Sequence, residues 1–294
     1  MVTKVKIINT ITSIGVSAFA GNSSLIDIVL PSNIKTIESK AFTHCGNVTN
    51  VYYNGTLEDW CNIELIDQAS NPFYYNDRNL TNHFYMLNKN SEYEELTKLV
   101  IPSTVKKINS RTFSDFNNLE SIVIPNTVET IGEQVFSGCT SLTNIILPFI
   151  GDGNNINKFG YIFGNHVPSS LKEVKITDAK QIAERAFSGC KEVESITIDG
   201  VATSIEDEAF SGCTKLNKIE ILCNITSINR QAFSNCTSLT SIVIPINVGY
   251  MGSYVFNNCT NLTVYCVAPG KPDKWNDDWG GNVNKIVWYY KNSK

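Results

Sequence analysis

A chain of 294 residues with 42% hydrophobic and 18% charged content can bury a substantial core and is too apolar for general disorder. Its net charge of −4 comes from mixed charges without long runs, which excludes the basic footprint of a nucleic-acid binder or of a protein held on an anionic membrane. No window approaches the roughly 18 apolar residues of a membrane span, and residues 1–12 lack the apolar core of a signal peptide.

The chain opens partway through a repeat unit, so a larger parent with its own export signal is expected. An anchor phenylalanine recurs at Phe19, Phe42, Phe113, Phe136, Phe187, Phe210, Phe233 and Phe256, and five of the seven intervals are 23 residues. A fixed period of this size identifies a repeat architecture before any local reading does. Five residues before each anchor stands an isoleucine, Ile14 through Ile228, with Met251 closing the series. Six residues after it stands Leu25, Val48, Leu119, Leu142, Val193, Leu216, Leu239 or Leu262, in most units opening an L-x-x-I-x-I pattern such as "LESIVIP". The last two apolar residues of that pattern alternate with period two, so each repeat contributes one short strand with one face inward.

A single 23-residue unit cannot cover its own apolar face, so the units must stack with their strands parallel. The spacing predicts a leucine-rich-repeat solenoid of about eleven rungs, on the order of 50 Å long at about 4.8 Å per strand. Prolines at Pro31, Pro102, Pro125, Pro148 and Pro245 follow the strand, where a missing N–H removes no ladder bond. The stretch leading to each anchor, as in "VETIGEQVFSGC", is expected to hold a second short extended segment and then a helical turn that drops the phenylalanine into the core.

In chain order, two regular units are followed by an insertion at roughly 54–93, then two more units and a second, Gly- and Asn-rich insertion at roughly 149–169. Regular units then run to about residue 267, with a C-terminal cap at roughly 268–294 built on Trp275, Trp279, Trp288, Tyr289 and Tyr290. The whole chain, 1–294, is expected to be one leucine-rich-repeat domain.

Units of the form "LTSIVIPxxVxxIxxxAFSGCTS", nearly intact at 113–148 and 187–245, resemble the BspA-like, Treponema-type leucine-rich repeats of bacterial surface proteins. The segments "VYYNGTLEDWCNI" and "YCVAPGKPDKW" also resemble insertions and endings of such proteins. The resemblance implies cell-surface or extracellular display and binding to host matrix proteins, host cells or other bacteria. Function lies in a site grafted on a fold, so the resemblance speaks to fold more than to partner.

Nothing in the motifs points to catalysis. His44, His83 and His166 are scattered outside metal-ligand spacings, no G-x-S-x-G elbow occurs, and Gly138, Gly189 and Gly212 belong to the recurring "SGC" turn. No catalytic residue, metal ligand or cofactor is therefore assigned. Of nine cysteines, Cys45, Cys139, Cys190, Cys213, Cys236 and Cys259 lie three residues after an anchor. Stacking puts them in a column of buried free thiols, each behaving as a small hydrophobe. A disulfide or metal role is the alternative, disfavoured by parallel Cβ vectors and an odd count. Cys61, Cys223 and Cys266 fall outside this pattern.

A protein partner would meet the residues that face outward between core positions on the sheet. One such column includes Asp27, Asn50, Lys98, Ser121 and Asn144, and a second includes Val29, Tyr52, Val100, Val123 and Ile146. Val100, Val123 and Ile146 form either an apolar interaction stripe or a run of β-branched residues that simply suits strands. On the sheet face the candidate ligand-binding residues are Val100, Val123, Ile146, Tyr52, Lys98 and Asn144. Trp60, Tyr74 and Tyr75 of the first insertion are candidate anchors, against the alternative that the insertion packs its own aromatics. The expected function is non-catalytic adhesion to a protein partner, with a structural spacer or a carbohydrate-binding module as alternatives.

Overall fold

The computed structural model describes residues 1–74, 80–151, 158–164 and 166–291. The chain forms two compact units, Met1–Thr143 with Tyr161–Pro168, and Asn144–Gly160 with Ser169–Lys294. Each is a parallel β-solenoid of leucine-rich-repeat type, and together they hold about twelve turns, close to the eleven the spacing predicts.

In the first unit the front strands Lys4–Lys6, Asp27–Leu30, Asn50–Tyr53 and His83–Leu87 form a parallel ladder in the order of the chain. Lys98–Val100 and Ser121–Val123 pair with each other in the same sense. In the second unit Asn144–Leu147, Glu173–Ile176, Ser195–Ile198 and Lys218–Ile221 form one ladder, and Ser241–Ile244, Thr263–Cys266 and Lys285–Val287 form another. Inward residues alternate with outward ones as the L-x-x-I-x-I pattern requires: Ile196 and Ile198 are fully buried while Ser195 and Thr197 are half-buried. The prolines after the strands start turns, with Pro102, Pro125 and Pro245 carbonyls accepting from the amide three residues on.

Many turns carry a second, two-residue strand, such as Ser204–Ile205, Ser227–Ile228 and Tyr250–Met251, which places the isoleucine or Met251 five residues before the anchor in the core. The turn that follows is not helical. Two residues before each anchor the backbone is left-handed, with φ between 54° and 63° at Lys40, Arg111, Gln134, Arg185, Glu208, Gln231 and Tyr254. Two residues after the anchor it is left-handed again, at Gly21, His44, Asp115, Gly138, Gly189, Gly212, Asn235 and Asn258. That conformation favours Gly, then Asn and Asp, which accounts for the "SGC" and "SNC" spelling.

Between the two reversals the phenylalanine points inward and stacks on its neighbour. Phe187, Phe210, Phe233 and Phe256 follow one another with ring centroids 5.3, 5.0 and 5.5 Å apart. Trp279, 23 residues after Phe256, takes the next place in this column at 6.1 Å. Trp275 sits beside it, its indole N–H donating to the Val248 carbonyl at 3.0 Å. The C-terminal aromatics therefore belong to another turn of the solenoid, whose front strand Lys285–Val287 pairs with Thr263–Cys266.

The cysteine column is a ladder of free, buried thiols. Cys45, Cys139, Cys213, Cys236 and Cys259 each donate S–H to the carbonyl of the anchor phenylalanine one turn earlier, at 3.0–3.2 Å. Cys266 replaces the inward isoleucine of a front strand, in register with Ile244, and Cys61 ends a short helix, Leu57–Cys61, with its thiol buried.

The long interval at 54–93 adds structure to the ladder as well as beside it. Besides the helix it supplies a back strand, Glu64–Leu65, and the front strand His83–Leu87, whose Phe84 and Met86 are buried. A hairpin then returns as Tyr93–Glu95, antiparallel to His83–Leu87. The interval at 149–169 contains a 3-10 segment, Phe159–Phe163, rather than loop alone. Phe163 extends the first unit's column beside Phe136, and Phe159 joins the second unit's beside Phe187.

Candidate binding surface

The front sheet of the first unit gathers an aromatic cluster. Parallel register puts Val29, Tyr52 and Tyr85 side by side on the outward column, and the hairpin brings Tyr93 over them. Tyr52 and Tyr85 stack at 4.7 Å, and Tyr93 meets Tyr52 edge-on at 4.9 Å. The Lys4 ammonium lies 5.0 Å from the centre of the Tyr52 ring, within cation–π range. Lys4 comes from a strand on one side of Tyr52 and Tyr85 from the strand on the other, so the ring is flanked on both sides.

Polar groups frame the cluster. Asp27 accepts from Asn50 at 2.8 Å and pairs with Lys4 at 3.5 Å. Glu95 meets His83 Nδ1 at 2.6 Å and accepts from Asn118 at 2.6 Å, and the Tyr93 hydroxyl donates to Asn54 at 2.5 Å. Loss of water around the rings, assisted by nearby carboxylates, raises the phenol pKa of Tyr52 (Asp27) and Tyr85 (Glu95). All three phenols, including Tyr93, are thus neutral donors at physiological pH.

Other expected residues are distributed differently. Val100 is 69% exposed and in register with half-buried Val123, so these two form an apolar pair on the first unit, beside an exposed Lys98–Glu120 ion pair. Ile146 belongs to the second unit, where it is half-buried and in register with Lys175. Asn144 there donates to Glu173 at 2.9 Å. The insertion anchors separate. Trp60 is 3% exposed, packs on Tyr53 and Phe84, and donates its indole N–H to the Thr112 carbonyl at 2.9 Å. It is therefore a core residue and not a surface anchor: the helix that carries it lays that face on the solenoid interior. Tyr74 is exposed at a turn beyond buried Phe73, and Tyr75 lies outside the described residues.

Tyr85, Tyr93, His83 and Glu95 enter the cluster only through the hairpin. The alternation H-F-Y-M-L at 83–87 was the available signal for Tyr85, but the 33-residue step from Asn50 to His83 hides it from a 23-residue period. Among the described residues no group of three or more His, Cys, Asp or Glu side chains is arranged to hold a metal ion. No helix among them is long and apolar enough to cross a membrane.

The chain is similar in fold to a leucine-rich repeat protein from Bacteroides ovatus, with 23% identity, a TM-score of 0.48, and coverage of 100% of this chain and 78% of that one. A leucine-rich repeat protein from Eubacterium ventriosum shows 18% identity and a TM-score of 0.46 over 95% of this chain and 87% of that one. A leucine rich cell surface protein from Faecalibacterium prausnitzii shows 21% identity and a TM-score of 0.35 over 99% of this chain and 80% of that one. No curated protein sequence matches the chain. The BspA type leucine rich repeat region matches in six copies, over residues 1–64, 88–162 and 156–268. With most of its length matched, its anchor phenylalanines buried and its front strands in parallel register, the chain belongs to the BspA-type leucine-rich-repeat family.

Proposed function

We propose that this chain is a non-catalytic protein-binding module of a bacterial cell-surface or secreted protein, adhering to host or matrix proteins or to other cells. Leucine-rich repeats generally mediate protein binding and their solenoids are typically non-catalytic. The observation that carries the reading is the Tyr52–Tyr85–Tyr93 cluster on the first unit's front sheet. Tyrosine gives a large, stiff contact area with a polar tip, the combination enriched at binding hot spots. The apolar pair Val100 and Val123 on the same unit is a second contact candidate, with Lys98 beside it. In the second unit Ile146 and Asn144 are lesser candidates, because Lys175 and Glu173 stand in register with them. Carbohydrate recognition is less well supported, since a sugar needs a free ring face and Tyr52 is flanked on both sides.

The test is label-free binding of the purified chain to a panel of matrix proteins, host-cell extracts and glycans. It is repeated with a Tyr52→Ser, Tyr85→Ser variant and with Val100→Asp, Val123→Asp. A protein ligand that binds the native chain and loses about 30-fold or more in affinity for a folded tyrosine variant supports the reading, as expected for a hot spot. Binding to glycans alone supports carbohydrate recognition, and no binding at all favours a structural spacer.

A further inference from the structure

The front ladder of the second unit is interrupted between Lys218–Ile221 and Ser241–Ile244. The 23-residue step and the L-x-x-I-x-I pattern both continue across this junction, yet among the described residues no backbone hydrogen bond joins the two strands. Elsewhere the same two turns are closed. Behind the gap the Gly249 and Gly252 amides donate to Thr226 and Ile228 at 2.9 and 2.8 Å, and the Phe233 and Asn235 amides donate to Val255 and Asn257 at 2.9 and 2.7 Å. At its two ends the Thr237 hydroxyl donates to the Thr214 carbonyl at 3.3 Å, and Asn247 donates to the Asn224 side chain. The opening is therefore a slit the length of one strand, with a bonded margin.

Strand geometry determines which groups line the slit and its width determines what can enter. Along a strand, successive residues direct their N–H and C=O to opposite sides. Leu222 donates to Ile198 and Ile244 accepts from Val267, so the even-numbered residues of both strands serve their outer neighbours. Ile219 and Ile221 on one wall and Ser241 and Val243 on the other turn their N–H and C=O groups into the slit. Several Cα pairs across it lie within 8 Å of each other, whereas a third strand would need about 9.6 Å between the walls. One layer of bridging water widens the paired spacing only to about 7.6 Å, and that fits. Ile221, half-buried where its register equivalent Ile198 is fully buried, lines a groove of about 530 Å³ over the slit with Leu222, Val243, Pro245, Ile246 and Val267.

We infer that the slit is a two-state element: in its open form water bridges the two strands, and in its closed form they pair directly and the groove over them is lost. In the register of the preceding strand pair, closure lets the Ile219 and Ile221 amides donate to the Ser241 and Val243 carbonyls. It likewise lets the Ser241 and Val243 amides donate to Asn217 and Ile219. A water-bridged contact is enthalpically close to a direct one and costs little more in water entropy, so the two forms lie near each other in free energy. Lys218 and Glu220 pair along one strand at 3.1 Å, so no ion pair crosses the slit to hold it in either form. The movement is about 3 Å, the difference between the bridged and paired spacings, and the bonded back and ends confine it to the two strands. Closing covers Ile221, so a partner that seats an apolar side chain in the groove selects the open form. The slit lies within the second unit and shares no residue with the tyrosine cluster, so it stands apart from the proposed adhesion site.

The experiment is backbone relaxation dispersion on the full chain, because exchange between paired and unpaired strands falls in the μs–ms range. The amides of Ile219, Ile221, Ser241 and Val243 are expected to share one exchange process. Those of Ile196, Ile198 and Val264 in the unbroken ladders, and of Ile228 and Met251 behind the slit, are expected to stay flat. Hydrogen exchange at the four slit amides should be about tenfold or more faster than at Lys218 and Leu222, which donate to Glu194 and Ile198. Sucrose is excluded from protein surface and favours the form that exposes less of it, so about 1 M should slow the four slit amides about threefold or more. Val243→Pro deletes a donor that only the closed form uses, and should flatten the dispersion at Ile219, Ile221 and Ser241 while leaving the Tm in place. The sucrose comparison needs no substitution and decides the matter if the proline variant does not fold. Flat dispersion at the four amides overturns the inference, whether they are protected, as in a permanently closed ladder, or fast, as in a rigid slit. Dispersion of equal size at Ile228 and Met251 overturns it too, since the whole turn would then be separating.

Discussion

The Cys213 thiol donates to the Phe187 carbonyl 26 residues earlier at 3.1 Å, tying each turn's reversal to the one before it. Repeated at Cys45, Cys139, Cys236 and Cys259, this contact gives a carbonyl that already accepts the amide three residues on a second donor from a small, buried side chain. Cys213→Ala leaves the Phe187 oxygen without that donor, and about 1 kcal/mol of stability should be lost in urea titrations.

Burial also raises the Cys139 and Cys213 thiols of this column and that of Cys190, pushed up to about 12 from an ordinary 9.0. A raised thiol pKa favours the neutral form in the folded state. Its contribution to stability is full below pH 9 and fades as pH rises toward 12. Urea midpoints should therefore hold steady from pH 7 to 8.5 and decline above pH 9. At pH 8 the folded chain should resist iodoacetamide, while all nine cysteines react in denaturant.

Backbone sign, not space, governs the position two residues after the anchor. A Cβ on Gly212 would meet nothing closer than Gly189 at 3.8 Å, but φ there is +75°. Gly212→Ala should cost about 1 kcal/mol, and Gly212→Asn distinctly less, because Asn235 and Asn258 already hold φ of 61° at the equivalent place. Thermal melts of the two variants side by side would show the order, and a reversed order would contradict the account.

Asp115 occupies the same position in its turn, and burial raises its carboxyl from 3.8 to about 6. A raised acid favours the protonated folded form, so its contribution is full below pH 3.8 and lost as pH climbs through 6. Asp115→Asn should stabilise the chain by about 1–2 kcal/mol at pH 8, after allowance for partial exposure, with the gain vanishing near pH 4. Denaturant titration at both pH values provides the comparison.

Trp60 tests the division between core and surface. With its ring buried and its indole N–H bonded to Thr112, Trp60→Ala should cost about 3–5 kcal/mol. Tyr74→Ala, at an exposed turn, should fall within about 0.5 kcal/mol of the native chain. Loss of ligand by a Trp60→Ala protein that melts normally would instead return Trp60 to the surface.

Much of this architecture is legible in the period. Phe19 to Phe256, the isoleucines five residues ahead and the cysteines three residues behind can recur at 23 only if each turn repeats one backbone path, and the left-handed positions spell themselves in Gly, Asn and Asp. Trp279 obeys the same count, but an indole in place of a phenyl ring conceals the equivalence. The tyrosine cluster is legible only in part. Tyr52 lies on a regular rung, whereas Tyr85 and Tyr93 arrive through an enlarged turn and a hairpin whose lengths follow no period.

By itself, then, the sequence determined the repeat, the parallel front strands and the composition of the core, since these depend on which side chains are apolar and at what spacing. Only the tertiary structure decided which outward residues meet and where the ladder opens. The segments around Ile219 and Ile242 follow the same pattern as their neighbours, so nothing in their spelling marks the gap. Strand pairing is made by backbone groups common to all residues, and whether two successive turns close at the front depends on how their whole cores seat against one another.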